Sequence, residues 1–283
     1  MKISRFSAVF GHLQGGALCG ILQVTPGKKQ ENIMTQNTLQ KGENGALSAA
    51  ALRIAALVFM LLDHLWASVV PGNMWMHYLG RVAFPVFAFQ AAEGLCHTRD
   101  AARYKKRLLL WALISELPFN LFVSGSLFFP FHQNVLFTLL LGVCAAQQLG
   151  AFEQAADTKT RLRHAAALCG FLLLSVLLPD YGWRGAVLVL LFYAARGFAA
   201  ARLVQLAGVL VLFVLTFEGQ MLLFEAAGKA FSFPVQGFSL LALPLLWCYS
   251  GKEGAMPVWL RRASYLFYPL HMLLLWAVMR FAL

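Results

Sequence analysis

The chain has 283 residues, of which 60% are hydrophobic and 12% charged, and its mean hydropathy is +0.67. Soluble domains carry roughly 25% charged residues, so a water-soluble fold is excluded. The net charge of +11 does not indicate a nucleic-acid partner, because the basic residues lie in short clusters between apolar runs. Runs of about 20 apolar residues recur, the length of a helix that crosses a bilayer. The sequence therefore predicts an all-α fold, a polytopic bundle of transmembrane helices.

The N-terminal segment differs from the rest of the chain. Residues 1–33 are rich in Gly and Gln and contain no apolar run adequate for a secretory signal, and Met34 is a second candidate start. We expect residues 1–45 to be a disordered or mis-started tail. The transmembrane domain is expected to comprise residues 46–283.

About nine apolar stretches follow in chain order, and each is predicted to span the membrane as a helix. They are residues 48–70, 78–97, 107–124, 133–149, 165–179, 184–200, 203–218, 235–249 and 264–282. The stretch 220–234 contains Glu225, Lys229 and Pro234, so we expect an interfacial or re-entrant segment there. A tenth crossing is the alternative.

The connections between these stretches alternate in positive charge. The basic connections contain Arg99, Arg103, Lys105, Lys106, Arg107, Lys159, Arg161, Arg163, Arg196, Arg202, Lys252, Arg261 and Arg262. Basic loops face the cytoplasm in most membrane proteins. The other connections hold almost no positive charge, with Lys229 as the main exception. The pattern predicts that the N-terminus lies inside and the C-terminus outside.

Polar side chains inside the predicted spans indicate a buried site, because a charge near the bilayer centre costs ~2.5–3.5 kcal/mol. The candidates are Asp63 and His64 in the first span, Arg81 in the second, Glu116 and Asn120 in the third, and His271 in the last. Counting along the helices puts His64 and Arg81 in one layer. Two structural alternatives stay open. Asp63 and Arg81 could be an ion pair that fixes helix register, and His271 could be a core histidine bonded to a carbonyl exposed by Pro269.

Two further polar pairs lie near the ends of spans. Glu93 and His97, one helical turn apart at the cytoplasmic boundary, could be a structural pair or a ligand contact. Asp180 and Arg184 flank the turn DYGWRG, where hydrogen bonds that close the loop are expected.

A series of motifs then gives a family resemblance. DH in the first span, GRVAFPVFAF followed by EG, a basic turn, SELPFN, NVLFTLLLG, DYG and YPLH occur in this order. From about residue 50 to its end, the chain resembles the TraX family. The resemblance implies a multi-pass acetyltransferase of a bacterial inner (plasma) membrane, since the family's namesake N-acetylates pilin during conjugation. Residues 46–283 would then be an acyltransferase-like domain, with a protein N-terminus or a carbohydrate as acceptor.

This implied activity gives the polar residues expected roles. The donor acetyl-CoA is cytosolic and polyanionic, so its phosphates are expected at a basic inner mouth. That mouth would be formed by Arg103, Lys105, Lys106, Arg107, Arg261 and Arg262. His64 is the expected general base, with His271 as the alternative. Supporting roles are expected for Asp63 or Glu116, which would orient the imidazole, and for Arg81 or Asn120, which would stabilise the oxyanion. The chemistry requires no metal.

A different functional class also predicts buried ionisable groups. Proton- or ion-coupled transporters place Asp, Glu, His and Arg inside their helices. Many transporters also contain two related halves with paired broken helices, and the sequence shows no internal repeat. The transporter is therefore the second hypothesis, and a structural partner in a membrane assembly is the third.

Overall fold

The computed structural model describes residues 45–130, 132–177, 180–196, 198–216, 219–226 and 228–282. Within these ranges the chain is nearly all helical and contains a single two-stranded sheet. Apart from Gly45, the expected tail at 1–45 lies outside the described residues. Its boundary with the domain 46–283 stays a prediction.

The helices follow one another with short connections. In chain order they are α1 (Ala49–Ser68), α2 (Met74–Gly80), α3 (Ala83–His97), α4 (Ala101–Ser124), α5 (Val135–Gln154), α6 (Thr158–Leu177), α7 (Gly182–Ala195), α8 (Ala201–Leu210), α9 (Ala242–Trp247) and α10 (Val258–Phe281). A π-helical turn (Val211–Leu215) continues α8, and a 3₁₀-helix (Val235–Leu241) leads into α9. Strands β1 (Met221–Ala226) and β2 (Lys229–Pro234) pair antiparallel between these two segments. The stretch 220–234 is therefore a β-hairpin, and the alternative of a tenth helical crossing is wrong.

Four of the described helices, α1, α4, α5 and α6, are long and apolar enough to cross a membrane. Three further segments are apolar but have only 10–17 residues: α7, α8 with its π-helical turn, and the 3₁₀-helix with α9. The predicted all-α fold is confirmed, and the length and composition of these helices indicate a membrane protein. The count of about nine spans stays a prediction.

Side-chain caps set the starts of the long helices. The Ser48 hydroxyl accepts a hydrogen bond from the backbone of Ala51 at 3.2 Å and begins α1. In the same way Asp100 begins α4 and Asn134 begins α5, at 2.9 Å and 3.1 Å. These oxygens satisfy N–H groups that the first helical turn leaves free. Polar residues therefore fix where these three apolar runs become helices.

The predicted span 78–97 is broken at residues 81–82, between α2 and α3. Pro85 has no N–H, so it cannot bind the carbonyl of Arg81 four residues earlier. The hydroxyl of Ser239 donates to this carbonyl instead, at 3.3 Å. The proline thus explains both the break and the attachment of the Arg81 turn to the 3₁₀-helix.

Two buried clusters hold the helices together. The larger cluster joins α3, α5 and α7 with the π-helical turn, and Val86, Val143, Leu188 and Phe213 are fully buried in it. The smaller cluster joins α1, α4 and α10. Its members are Met60, Ala83, Phe119, Tyr268 and Met272. Because α1 and α10 pack directly together, polar residues of the first and last helices meet there.

Candidate active site

A cavity of about 290 Å³ lies beside the α2–α3 turn, between α1, α10 and the start of α7. Its polar wall consists of Asp63, His64, Arg81, Asp180, Tyr181 and Gln236. The apolar wall includes Phe84, Phe87, Phe119, Tyr268 and Met272. Apolar pockets with a few convergent polar groups are typical of small-molecule sites.

His64 and His271 are in direct contact at this cavity. Nδ1 of His64 lies 2.6 Å from Nε2 of His271. The two rings are nearly parallel, with 4.9 Å between their centroids and 12° between their planes. His64 lines the cavity, while His271 is buried behind it. The two residues that the sequence offered as alternative bases therefore form one unit.

Hydrogen bonding indicates which nitrogens of this pair carry protons. Nδ1 of His271 lies 2.7 Å from the carbonyl of Phe267, and a carbonyl only accepts, so this nitrogen is the donor. A neutral His271 then accepts at Nε2, and Nδ1 of His64 donates to it. Nε2 of a neutral His64 is left with a free lone pair. The pair thus presents one basic nitrogen on the residue that lines the cavity.

Asp63 makes different contacts from its neighbour His64. One carboxylate oxygen accepts from Nδ1 of His77 at 2.7 Å, and the other binds Nη2 of Arg81. Adjacent helical residues point about 100° apart, which accounts for the divergence. The hydrogen-bond partner of the His64 imidazole is His271, where the sequence offered Asp63 or Glu116.

Arg81 is held from two sides at the edge of the cavity. Besides its ion pair with Asp63, it donates from Nη1 to the side-chain oxygen of Gln236 at 3.2 Å. The amide of Gln236 in turn donates to Ser239 at 2.9 Å. Nε of Arg81 is buried and has no hydrogen-bond partner among the described residues. A buried donor without a partner is costly and suits a ligand oxygen.

Glu116 and Asn120 lie apart from this network. Glu116 accepts from the side chain of Asn134 at 2.6 Å and from its backbone at 3.3 Å. Since Asn134 also caps α5, these contacts tie α4 to the start of α5. Asn120 is buried and its side-chain oxygen has no described partner. Neither residue lines the cavity, so their catalytic roles stay predictions.

Sequence reasoning missed several polar residues of the site. His77 and Gln236 gave no signal, because they lie outside or at the edge of the predicted spans. Asp180 and Tyr181 were assigned only to a turn, yet both line the cavity. Tyr181 has a φ of 61°, a left-handed conformation that is uncommon for a bulky side chain. The motif DYG therefore shapes the cavity wall as well as the turn.

His132 and Asp180 form an ion pair beside the cavity, with 3.5 Å between Nε2 and Oδ1. The hydrogen bond to Asp180 raises the pKa of His132 above its ordinary value of 6.5, against the opposing effect of burial. His132 lies in the connection between α4 and α5. The charge state of this loop therefore depends on pH near neutrality.

A second cavity, of about 200 Å³, lies at the opposite ends of α1 and α3. Its polar wall consists of Arg53, Gln90, Glu93, His97, Tyr249 and Glu253. Nη1 of Arg53 is buried without a described hydrogen-bond partner. Glu93 binds Arg196 at 2.9 Å and His97 at 3.7 Å. These contacts give Glu93 a structural role, whereas Arg53 retains a free donor.

The predicted basic mouth lies at the start of α4. Arg103 is 86% exposed and lies 3.5 Å from Asp100, while Arg107 lies over the rings of Tyr104 and Tyr265. Arg103, Lys105, Lys106 and Arg107 line neither cavity. The side chains of Arg261 and Arg262 lie outside the described part of the chain. In that part, no group of three or more His, Cys, Asp or Glu residues is arranged to hold a metal ion.

Comparison with known proteins gives relatives along most of the chain. The "Probable fimbrial assembly protein FimC, serogroup H1" of Dichelobacter nodosus is 29% identical over 246 residues, 81% of this chain and 94% of that protein. "Protein TraX" of Escherichia coli is 32% identical over 150 residues, 50% of this chain and 54% of that protein. No solved structure matches at a significant level. The family model described as "TraX protein" matches residues 48–279, and the chain therefore belongs to the TraX family.

Proposed function

We propose that this protein is an integral membrane acetyltransferase that moves an acetyl group from cytosolic acetyl-CoA to an amine or hydroxyl acceptor. The contact between His64 and His271 carries the proposal. It leaves the lone pair of Nε2 on His64, a residue of the cavity wall that Arg81 also lines. Histidine is the side chain that most often accepts the proton in such transfers.

In the proposed reaction, Nε2 of His64 takes the proton of the acceptor as its nitrogen or oxygen attacks the thioester carbonyl. A bond forms between the acceptor and the carbonyl carbon, and the carbon–sulfur bond then breaks. The leaving thiolate of CoA takes the proton back from His64. Every proton is returned, so His64 ends the cycle neutral. His271 keeps the imidazole in the required tautomer through its own bond to the carbonyl of Phe267.

Arg81 is the proposed oxyanion donor. The negative charge that develops on the thioester oxygen needs a donor that is already in place. Nε of Arg81 is buried without a partner, which supports this role. Asn120 is the second candidate, since its side chain is also incompletely bonded. Its absence from the cavity wall makes Arg81 the better choice.

The second cavity is the proposed donor entrance. Arg53 and His64 lie on the same helix, ~16 Å apart at ~1.5 Å per residue. The pantetheine arm of CoA spans ~15–20 Å by ordinary bond lengths, so the thioester would reach His64 from a site near Arg53. The phosphates would stay at the basic residues Arg103, Lys105, Lys106 and Arg107. Arg261 and Arg262 complete the proposed inner mouth.

The acceptor is proposed to enter from the outer side of a bacterial inner membrane, with the N-terminus of the chain in the cytoplasm. The positive charge of the connections supports this orientation. One relative is named a probable fimbrial assembly protein, which favours a pilin-type protein N-terminus as acceptor. A surface sugar is the alternative acceptor.

Transfer of labelled acetyl groups tests this function. Purified protein would be incubated with isotopically labelled acetyl-CoA and a panel of peptides with free N-termini and of sugars. We expect label on an acceptor, at a rate proportional to the amount of protein. Neutral residues in place of Lys105, Lys106 and Arg107 should raise KM for acetyl-CoA more than they lower kcat, because phosphate contacts stabilise ground and transition states alike. Absence of transfer, together with proton flux in reconstituted vesicles, would favour a transporter.

A further inference from the structure

We propose that His77 is a positioning residue that holds the guanidinium of Arg81 in place through the carboxylate of Asp63. The inference rests on the proposed function, in which Arg81 binds the oxyanion. It adds a residue that sequence analysis did not select and that lies outside the cavity wall.

The contacts form a continuous chain. Nδ1 of His77 lies 2.7 Å from one oxygen of Asp63, and Nη2 of Arg81 binds the other oxygen. An ionised carboxylate only accepts, so His77 donates this hydrogen bond. With both oxygens occupied, the carboxylate cannot rotate about its own axis without breaking a charge-assisted bond. The imidazole of His77 therefore limits the movement of the Arg81 guanidinium through the carboxylate of Asp63. This effect does not require direct contact between His77 and Arg81.

The ring of His77 is itself fixed. It stacks on the indole of Trp66, with 3.7 Å between ring centroids and 21° between planes, and only 8% of the residue is exposed. Trp66 lies on α1, three residues after Asp63, so one helix supplies both the stacking and the hydrogen bond to Asp63. A group held by stacking and by a hydrogen bond has little freedom to move, which is the property that a positioning residue requires.

Gly80 provides the space for this arrangement. A Cβ atom at Gly80 would lie 2.4 Å from Cβ of Asp63 and 2.8 Å from its Oδ1. No side chain fits there unless Asp63 moves. Gly80 directly precedes Arg81. The backbone of α2 therefore lies against the carboxylate of Asp63, and the guanidinium of the next residue binds the same carboxylate. The close approach of α2 to α1 is therefore a requirement of the network.

The network of His77, Asp63 and Arg81 orients the unpaired Nε–H bond of Arg81. Nη2 binds Asp63 and Nη1 binds Gln236. Together these bonds define the plane of the group and hence the direction of the Nε–H bond. If one of them weakens, that direction is no longer fixed. An oxyanion donor has its largest effect in the transition state, so loss of alignment should lower kcat more than it changes donor affinity.

The experiment uses the purified full-length protein with acetyl-CoA as donor and compares His77→Ala, His77→Asn, Arg81→Ala and the double variant. We expect His77→Ala to lower kcat ~10–100-fold, the usual effect of losing a partner behind a functional group, with KM for acetyl-CoA changed less than about threefold. His77→Asn should recover most of the rate, because its amide nitrogen replaces Nδ1. The double variant should be no slower than Arg81→Ala, since both changes remove one function.

A second measurement does not depend on activity. Phenylglyoxal modifies arginine side chains, and mass spectrometry of the peptide that contains Arg81 reports its rate. We expect His77→Ala to make Arg81 react several-fold faster, His77→Asn to restore the slow rate, and His97→Ala, a change at the opposite end of α3, to have no effect. Equal Arg81 reactivity in wild type and His77→Ala would overturn the proposal. If the wild type transfers no acetyl group, the proposed function fails, and the arginine rates still decide whether His77 positions Arg81.

Discussion

His64 and His271 share one hydrogen bond although 207 residues separate them in the chain. The carbonyl of Phe267 fixes the proton of His271, and His271 fixes the proton of His64. A protein that orients a base in this way uses a second group to select its tautomer. The first and last long helices must therefore pack together before the tautomer of His64 is fixed.

His132 should make stability depend on pH. Its raised pKa means that the folded state favours the protonated ring, which pairs with Asp180. This contribution is fully present below the ordinary pKa of 6.5 and is lost as the pH rises through the raised value. The thermal unfolding midpoint of the wild type should exceed that of His132→Ala most below pH 6.5, and the difference should shrink at higher pH.

Asp180→Asn is the matched control for this measurement, since it removes the partner and keeps the ring. It should reduce the same pH-dependent difference, because the hydrogen bond to Asp180 is the largest cause of the raised pKa and Glu116 contributes too. A difference between the wild type and His132→Ala that grows as pH rises would contradict the sign of the effect.

The sequence predicted which residues belong to the site better than it predicted the contacts between them. Asp63, His64 and Arg81 stand out because ionisable groups inside apolar spans are costly. Their partners depend on the rotation of each helix about its own axis, which tertiary packing sets. His77 lies in a predicted connection between two spans, where a polar residue is ordinary and does not indicate a site. Its role becomes visible only when α2 packs on α1.

At the scale of elements, close packing of α5 on α7 gives a testable consequence. A Cβ atom at Gly142 would lie 2.6 Å from Cβ of Val189 and 3.1 Å from the carbonyl of Ala186. Gly142→Ala should therefore destabilise the protein by ~1–3 kcal/mol, the usual cost of overpacking. Unfolding in detergent, followed by circular dichroism, would measure this change.

Gly170 on α6 is the matched control, because no described atom lies within 4 Å of its Cβ position. Gly170→Ala should leave stability unchanged or raise it by up to ~1 kcal/mol, since alanine favours helices. Equal effects of the two substitutions would show that α5 and α7 do not approach as closely as described.

The long helices were predictable and the irregular segments were not. Apolar length alone predicted α1, α4, α5 and α6, with differences of up to seven residues at their ends. The break in the span 78–97 depends on which hydrogen bond Pro85 removes and on what replaces it. The hairpin at 220–234 has the same apolar composition as a short helix, and composition does not separate the two.

For the whole molecule, large apolar side chains face outward along the helices, as a lipid environment requires. Trp75 is 54% exposed and Phe128 77%, both in connections predicted to face outward. Aromatic residues at such positions are typical of membrane interfaces. The first turns of α4, by contrast, carry the basic cluster.

Labelling of introduced cysteines tests this orientation. Ser126 suits the outer position better than its neighbour Gly125, whose φ of 68° disfavours any side chain. In a background without native cysteines, an impermeant maleimide added to intact cells should label Ser126→Cys. It should spare Ala102→Cys until the membrane is opened. The opposite result would invert the proposed topology.

His64 is the proposed general base of an acetyl transfer, and the kcat of His64→Ala tests this role most directly. Loss of a positioned proton acceptor should lower turnover of labelled acetyl-CoA ~10²–10⁴-fold. Acetyl-CoA binding should stay close to that of the wild type, while the thermal unfolding midpoint should fall modestly, because the buried His271 loses the partner of its Nε2. His271→Ala should retain more activity, since it removes only the orienting ring. A His64→Ala protein with lowered stability but near-normal specific activity, beside an inactive His271→Ala protein, would contradict the claim and move the base to α10.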